Sequence, residues 1–498
     1  MVEPVLPEAP EPVPSEPFQP APRPLERAPR RRPARPVLLA VVLIAVGILI
    51  GGLLIMRGGP APPTSPGPSG PAIAVVDRLG SLSVVERNGH AAVVAGAADV
   101  AFGFPAWSPD GTRIAAVSGS TAGTSISIFT AHPAGDRPSP SPAVIYRSST
   151  SPPFYLAWAP DGRNVSFLAT EPGGLSLRIA PADGSAPLDG SGPGGIVHRG
   201  APLYFDWIGT DRLLLHVGTG SDAFLGEVGL DGAVAGPTLG KPGDFRSAVV
   251  SQDRKYLAFV RVAPDGSEQL VVAARDGSAE HAQPVFGVAA VLFDPSADRI
   301  ASIAADRPGQ TTLAFPIGPL RVTDAASGAS RVLLDGSVVA FFWSQDGRTI
   351  AALRLEPAGG GSTAAAQPPI ANAAARGAGL AGIDLAAAVD ASATPSLAPS
   401  ASTEPGSTGA IEVRLVFVDT GTGAIRSRRV VRPASRFVNE LLPYFDQYAL
   451  SHRLWAPDGS SLLLPVVDDA GATHVVAFRP DGGEPELTID GEIGFWSP

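Results

Sequence analysis

All six tryptophans of this 498-residue chain fall at one position of a repeated motif, and this regularity constrains the fold more than any other feature. The copies are AWSPDGTRIAAVS from Ala106, AWAPDGRNVSFLA from Ala157, DWIGTDRLLLHV from Asp206, VVSQDRKYLAFV from Val249, LFDPSADRIASIA from Leu292, FWSQDGRTIAAL from Phe342 and LWAPDGSSLLLPV from Leu454. An eighth, GFWSP, begins at Gly494 and is cut off by the end of the chain. Trp107, Trp158, Trp207, Trp343, Trp455 and Trp496 share the position, which Val250 and Phe293 fill in the other two copies. Successive spacings are 51, 49, 43, 43, 50, 112 and 41 residues.

Each copy reads as an apolar strand end, a turn and a second apolar strand. Proline presets φ for the turn, aspartate accepts backbone N–H groups, and glycine takes the left-handed conformation that closes the hairpin. Asp110 and Gly111, Asp161 and Gly162, Asp346 and Gly347, and Asp458 and Gly459 fill these roles, and Asp253 does so without a glycine after it. The aspartates are therefore expected to form turns, and the large side chains, Phe293 included, to wedge as core between repeats. The repeat lengths match the roughly 40–50 residues of a four-stranded blade, so the expected fold is an all-β propeller.

The two ends of the array complement each other. Residues 72–99 contain three strand-like runs with no motif before them, and GFWSP is a first strand with nothing after it. Joined, they make one blade that closes the ring and leaves no open sheet edge. The expected count is eight blades, with seven as the alternative if the irregular copies at Trp207, Val250 and Phe293 merge.

The WSPDG-plus-strand repeats resemble those of the TolB-type, WD-repeat-like propeller family from residue 72 onward. That resemblance implies blades around a central channel with protein or ligand binding at one face, and it implies no catalytic residue. The repeats also resemble the propeller of prolyl oligopeptidase-like enzymes, whose hydrolase domain is not expected among these residues.

The 112-residue interval contains residues 356–409, rich in Ala, Gly, Ser and Pro and free of aromatics. Such a composition cannot build a core, so a disordered insertion between second and third strands is expected, with a short helix conceivable over 380–389. Upstream of the array, Val37 to Met56 is a run of 20 uncharged residues, long enough as a helix to cross a hydrocarbon layer of about 30 Å. Arg27, Arg30, Arg31, Arg32 and Arg35 precede it and Arg57 alone follows, which places the N-terminus in the cytoplasm by the positive-inside bias. The expected order is a disordered Pro-rich tail (1–36), a single transmembrane helix (37–56), a Pro/Gly/Ser stalk (57–71) and an extracytoplasmic propeller (72–498).

A formal charge of −10 disfavours nucleic acid as a partner, and the absence of cysteine excludes disulfides, thiolate metal sites and a cysteine nucleophile. The seven histidines stand singly without metal-ligand spacing, and no nucleophile elbow or phosphate loop is present. No cofactor or metal is expected. Asp468 and Asp469 are adjacent, and on a strand they would point to opposite faces. The expectation is a non-catalytic, membrane-anchored module that binds a protein, peptide or glycan. The rivals are a hydrolase or lyase with a loop-built site at the channel mouth, and a sensor relaying binding to the tail.

Overall fold

The computed structural model describes residues 70–131, 141–189, 195–218, 223–240, 248–308, 316–358 and 411–498. The Pro-rich tail, the apolar run 37–56, most of the stalk and nearly all of the 356–409 stretch lie outside these residues. Among the described residues no helix is long and apolar enough to cross a membrane.

The described chain is an all-β propeller of antiparallel sheets. The motifs at Trp107, Trp158, Trp207, Val250 and Phe293 form the corner between the first two strands of a sheet, and the motif at Trp343 joins the fourth and fifth strands of a larger one. Strands Ala101–Trp107, Arg113–Ser120, Gly123–Thr130 and Ala143–Ser148 make one such sheet in simple meander order. Three further four-stranded meanders run from Pro153 to Gly200, Leu203 to Thr238 and Val249 to Pro284. A seven-stranded sheet follows, in which the 14-residue strand Ser330–Trp343 pairs through its first half with Gly318–Asp324 and through its second with Thr349–Pro357. Gly336, at φ +93, lies between the two halves.

Closure occurs between the chain's own ends. Ala72–Val76 pairs antiparallel with Ile493–Trp496 in the register Ile73↔Trp496, Ala74↔Phe495, Val75↔Gly494 and Val76↔Ile493. Leu82–Glu86 and Ala91–Ala95 complete that sheet. All five residues of Ala72–Val76 are buried, as are all four of Ile493–Trp496. The driving force is apolar burial, at roughly 25 cal/mol per Å², with the ladder satisfying the main-chain groups thereby removed from water.

The segment 356–409 lies between Thr349–Pro357 and Ile411–Asp419, the fifth and sixth strands of the seven-stranded sheet, where Pro357↔Ile411 and Glu356↔Glu412 are still paired. It is not the only reason for the 112-residue interval. Three consecutive helical turns, Phe437–Leu441, Leu442–Tyr444 and Phe445–Tyr448, follow strand Ile425–Val431 and form a plug that motif reading does not anticipate. Phe437, Leu441 and Phe445 are buried, and the Phe445 ring lies edge-on to Phe341 and Phe342.

The plug reaches the inner strands of several sheets. The Tyr155 hydroxyl donates to the Gln447 carbonyl at 2.8 Å, while Gln447 Nε2 donates to the Tyr155 hydroxyl at 2.6 Å and the Phe205 carbonyl at 2.7 Å. Phe104 stacks on Tyr448 with centroids 5.0 Å apart, and Tyr155 meets the same ring edge-on at 5.3 Å. Phe104 and Tyr155 each stand three residues before a motif tryptophan, and both have left-handed backbones, at φ 44 and 47. Bulky residues rarely adopt that conformation. Here it sits at strand bulges that direct two aromatic rings to one plug residue.

Candidate functional site: an indole-lined cup at the motif face

The motif tryptophans bind neighbouring sheets to one another. Trp158 Nε1 donates to the carbonyl of Ala106 at 2.9 Å, Trp455 to Phe342 at 2.9 Å, Trp107 to Phe495 at 3.0 Å and Trp343 to Leu292 at 3.3 Å. In each case the acceptor immediately precedes the motif residue of the preceding copy. Trp207 reaches the equivalent carbonyl through a relay: its Nε1 donates to Ser166 Oγ, which donates to Ala157 O, both at 2.9 Å. Val250 has no indole, and its main-chain N–H donates instead to Asp206 Oδ2 at 3.0 Å. Trp496 is the exception. Its indole nitrogen is buried with no acceptor among the described residues, and the Leu454 carbonyl that the pattern assigns to it takes the Leu463 N–H.

Arginines cover the outer faces of three of these rings. Arg113 lies 4.8 Å from the Trp158 centroid and donates to the Gly162 carbonyl, Arg299 lies 5.5 Å from Trp343, and Arg87 lies 5.3 Å from Trp496. The turn aspartates act as expected from their position. Asp110, Asp161, Asp253, Asp346 and Asp458 each accept the main-chain N–H two residues on. Gly111, Gly162, Gly347 and Gly459 have φ between 66 and 69. Asp468 and Asp469 lie in a turn and not on a strand: Asp468 accepts two main-chain N–H groups and Asp469 pairs with Arg432.

The same tryptophans line a cavity of about 460 Å³. Its rim is the second turn residue of six copies: Pro109, Pro160, Gln252, Pro295, Gln345 and Pro498. Residues 449–455, which continue from the plug, line it from within. The plug contacts at Phe104, Tyr155, Phe205 and Phe341 fall two or three residues before the motif position of their copies, about 7–10 Å along the strand from it. The channel is thus closed below the tryptophans, and the cavity is a cup that opens among the motif turns.

Four charged side chains of the cup break the repeat, of which Asp294, at a place held by Ser, Ala or Ile in the other copies, is fully buried and paired with Arg299. Asp206 stands where the other copies have Ala106, Ala157, Val249, Leu292, Phe342, Leu454 and Phe495. It is half-buried, and burial pushes its carboxyl up to about 7 despite the N–H groups of Val250 and Trp207. Arg453 takes a place held by Pro105, Leu156, Phe205, Ala248, Val291, Phe341 or Gly494 elsewhere. Water reaches it, yet protein surrounds it closely enough to push its guanidinium below its usual range, as for a side chain standing in a concavity. Arg254 occupies the turn-glycine position with φ 64. A non-glycine residue there costs of order 1–2 kcal/mol. Among the described residues no carboxylate lies within 4.0 Å of Arg254 or Arg453 to form an ion pair.

Ser451 and His452 also line the cup. Ser451 Oγ lies 2.6 Å from His452 Nδ1, and His452 Nε2 lies 3.2 Å from the Phe104 carbonyl, so the proton sits on Nε2 and the hydroxyl donates to Nδ1. Burial depresses the imidazole to about 4, the Phe104 carbonyl opposing this. Among the described residues there is no group of three or more His, Asp or Glu side chains placed to hold a metal ion.

No protein-family model matches the chain. No curated protein matches it either. Solved structures similar to it include a putative TolB from Agrobacterium tumefaciens, at 16% identity over 54% of this chain and 91% of that one, with a TM-score of 0.31. Dihydro-heme d1 dehydrogenase NirN in complex with DHE is similar at 14% identity over 88% and 77%, with a TM-score of 0.48. Apo AztD from Citrobacter koseri is similar at 12% identity over 86% and 98%, with a TM-score of 0.44.

Proposed function

We propose that this chain is a non-catalytic, membrane-anchored binding module whose eight-bladed extracytoplasmic propeller takes a ligand in the indole-lined cup. The observation that carries this reading is the cup itself: a closed-bottomed concavity of ligand-binding size, about 460 Å³, lined in equal measure by apolar and polar surface. Eight blades follow if the seven-stranded sheet is counted as two that share strand Ser330–Trp343, and if the corner at Trp455, bridged to Leu462, is the first strand of the last blade. The anchor reading rests on the uncharged run 37–56 and the arginines before it, with 1–36 as a Pro-rich cytoplasmic tail and 57–71 as a stalk.

The hydrolase reading draws on one observation, the Ser451–His452 contact. A serine nucleophile needs a base that welcomes its proton, and His452 is held far toward the neutral form with no carboxylate against it. Binding accounts better for the cup. The test is native mass spectrometry and affinity capture with the detergent-solubilised full chain in extracts of the cells that make it, comparing the natural chain with Gln345→Trp, which fills the cup at its rim. The reading expects a retained ligand that the variant loses with unchanged thermal stability; equal retention by both would remove the cup as the site.

A further inference from the structure

We propose that the cup captures the free carboxyl terminus of a peptide, with Arg254 and Arg453 supplying the cationic groups that meet the carboxylate. This rests on the cup being the binding site.

The first support is the departure of both arginines from the repeat. Of five turns built on the Ser/Ala-x-Asp-x pattern, four carry glycine at the left-handed position and one carries Arg254 in the same conformation. A strained residue persists where its side chain is needed, and this side chain lines the cup. Arg453 is the only charged residue at its motif position, and it stands in a concavity with no acidic partner among the described residues. A guanidinium so placed is complemented by an anion brought from outside, and its planar fork matches a carboxylate through two parallel bonds.

The second support is the charge of the lining. Asp294 is fully buried and already neutralised by Arg299, so the lining sets two arginines, Arg254 and Arg453, against the one remaining carboxyl of Asp206. The chain as a whole carries −10, so the cup is a positive spot on an acidic molecule.

The remaining lining selects a peptide. Gln252 and Gln345 replace proline on the rim and each offers a carbonyl and an amide group, the pair that a main chain requires. Pro109, Pro160 and Pro498, from three consecutive units of the ring, keep proline and give apolar side chains a surface opposite. Capture of a terminal carboxylate beside such groups is an established mode of peptide recognition.

The experiment uses the detergent-solubilised full chain and a pool of randomised hexapeptides, prepared once with free carboxyl ends and once as carboxamides, with retained peptides counted by mass spectrometry. The free-acid pool should be retained about tenfold over the amide pool, the factor expected from losing one charge-assisted contact. Arg453→Gln should bring it down to the amide level. Arg254→Gly should weaken retention while raising the melting temperature, a pairing that general misfolding cannot produce. Equal retention of both pools, or retention unchanged by Arg453→Gln, overturns the proposal. If the ligand lost on filling the cup proves to lack a free peptide carboxyl, a uronate oligosaccharide for instance, this inference fails while the cup remains the site. Ligand retention unchanged by filling the cup ends both.

Discussion

The indole of Trp158 donates to the main-chain carbonyl of Ala106, the residue before Trp107, and so ties its repeat to the one before it at a buried point of the corner. Four copies make this bond directly and a fifth makes it through Ser166. A repeat with this link cannot shift along its neighbour without leaving a buried donor and acceptor unpaired.

Trp158→Phe should therefore cost more stability than Trp496→Phe. Both lose indole area and weaken the contact with a covering arginine, but only Trp158 has an acceptor to lose. The difference should be about 1 kcal/mol, the net worth of one hydrogen bond, measured by denaturant unfolding of the two variants side by side.

Gly347→Ala should be far more damaging than Gly111→Ala, although the two glycines have nearly the same φ, 66 and 68. A methyl group on Gly347 would land on the Asp294 carboxylate and the Ser296 hydroxyl, whereas on Gly111 it would meet only Pro498 at 3.7 Å. Gly111→Ala should cost about 1 kcal/mol from backbone strain alone. Gly347→Ala should cost several times that, or fail to accumulate, as thermal melts and expression yields will show.

Two groups lining the cup oppose each other with pH. The Asp206 carboxyl is raised to about 7, so between about pH 4 and 7 the folded chain holds a proton that the unfolded chain has released. That contribution falls as pH rises through the window. His452 is depressed to about 4, so between about pH 4 and 6.5 the unfolded chain binds a proton that the folded chain refuses, and that contribution rises with pH. The natural chain should show a flattened profile. Asp206→Asn should expose a stability that climbs from pH 4 to 6.5, and His452→Gln one that declines from pH 4 to 7, each by about 1–3 kcal/mol. Chemical denaturation at half-unit pH steps reads both; slopes of the same sign in the two variants would contradict the assignment.

The repeat was legible because its signals are local: an apolar strand end, a turn that needs aspartate and glycine, and a second strand, recurring at a steady period. The pairing of Ala72–Val76 with Ile493–Trp496 followed from the incompleteness of both ends. The plug was not legible, since Phe437 to Tyr448 belongs to no repeat and the 112-residue interval could be charged to residues 356–409 alone. The cup was missed for another reason. Asp206, Arg254 and Arg453 come from three separate copies, and each looks ordinary by itself. Aligning the copies position by position would have marked all three as the places where a structural pattern gives way.

Ring, plug and cup all depend on the sheet that joins the two ends of the chain. Val75 and Gly494 face each other across it. Directly opposed residues on antiparallel strands have Cα atoms about 4.5–5.5 Å apart, within the range a disulfide spans. The natural chain has no cysteine, so Val75→Cys with Gly494→Cys introduces the only two thiols. Mild oxidation should convert the folded double variant almost entirely to an intramolecular disulfide, seen as a faster band on a non-reducing gel and as the absence of free thiol. Two free thiols in the folded protein, or only disulfides between molecules, would mean that the ends do not meet.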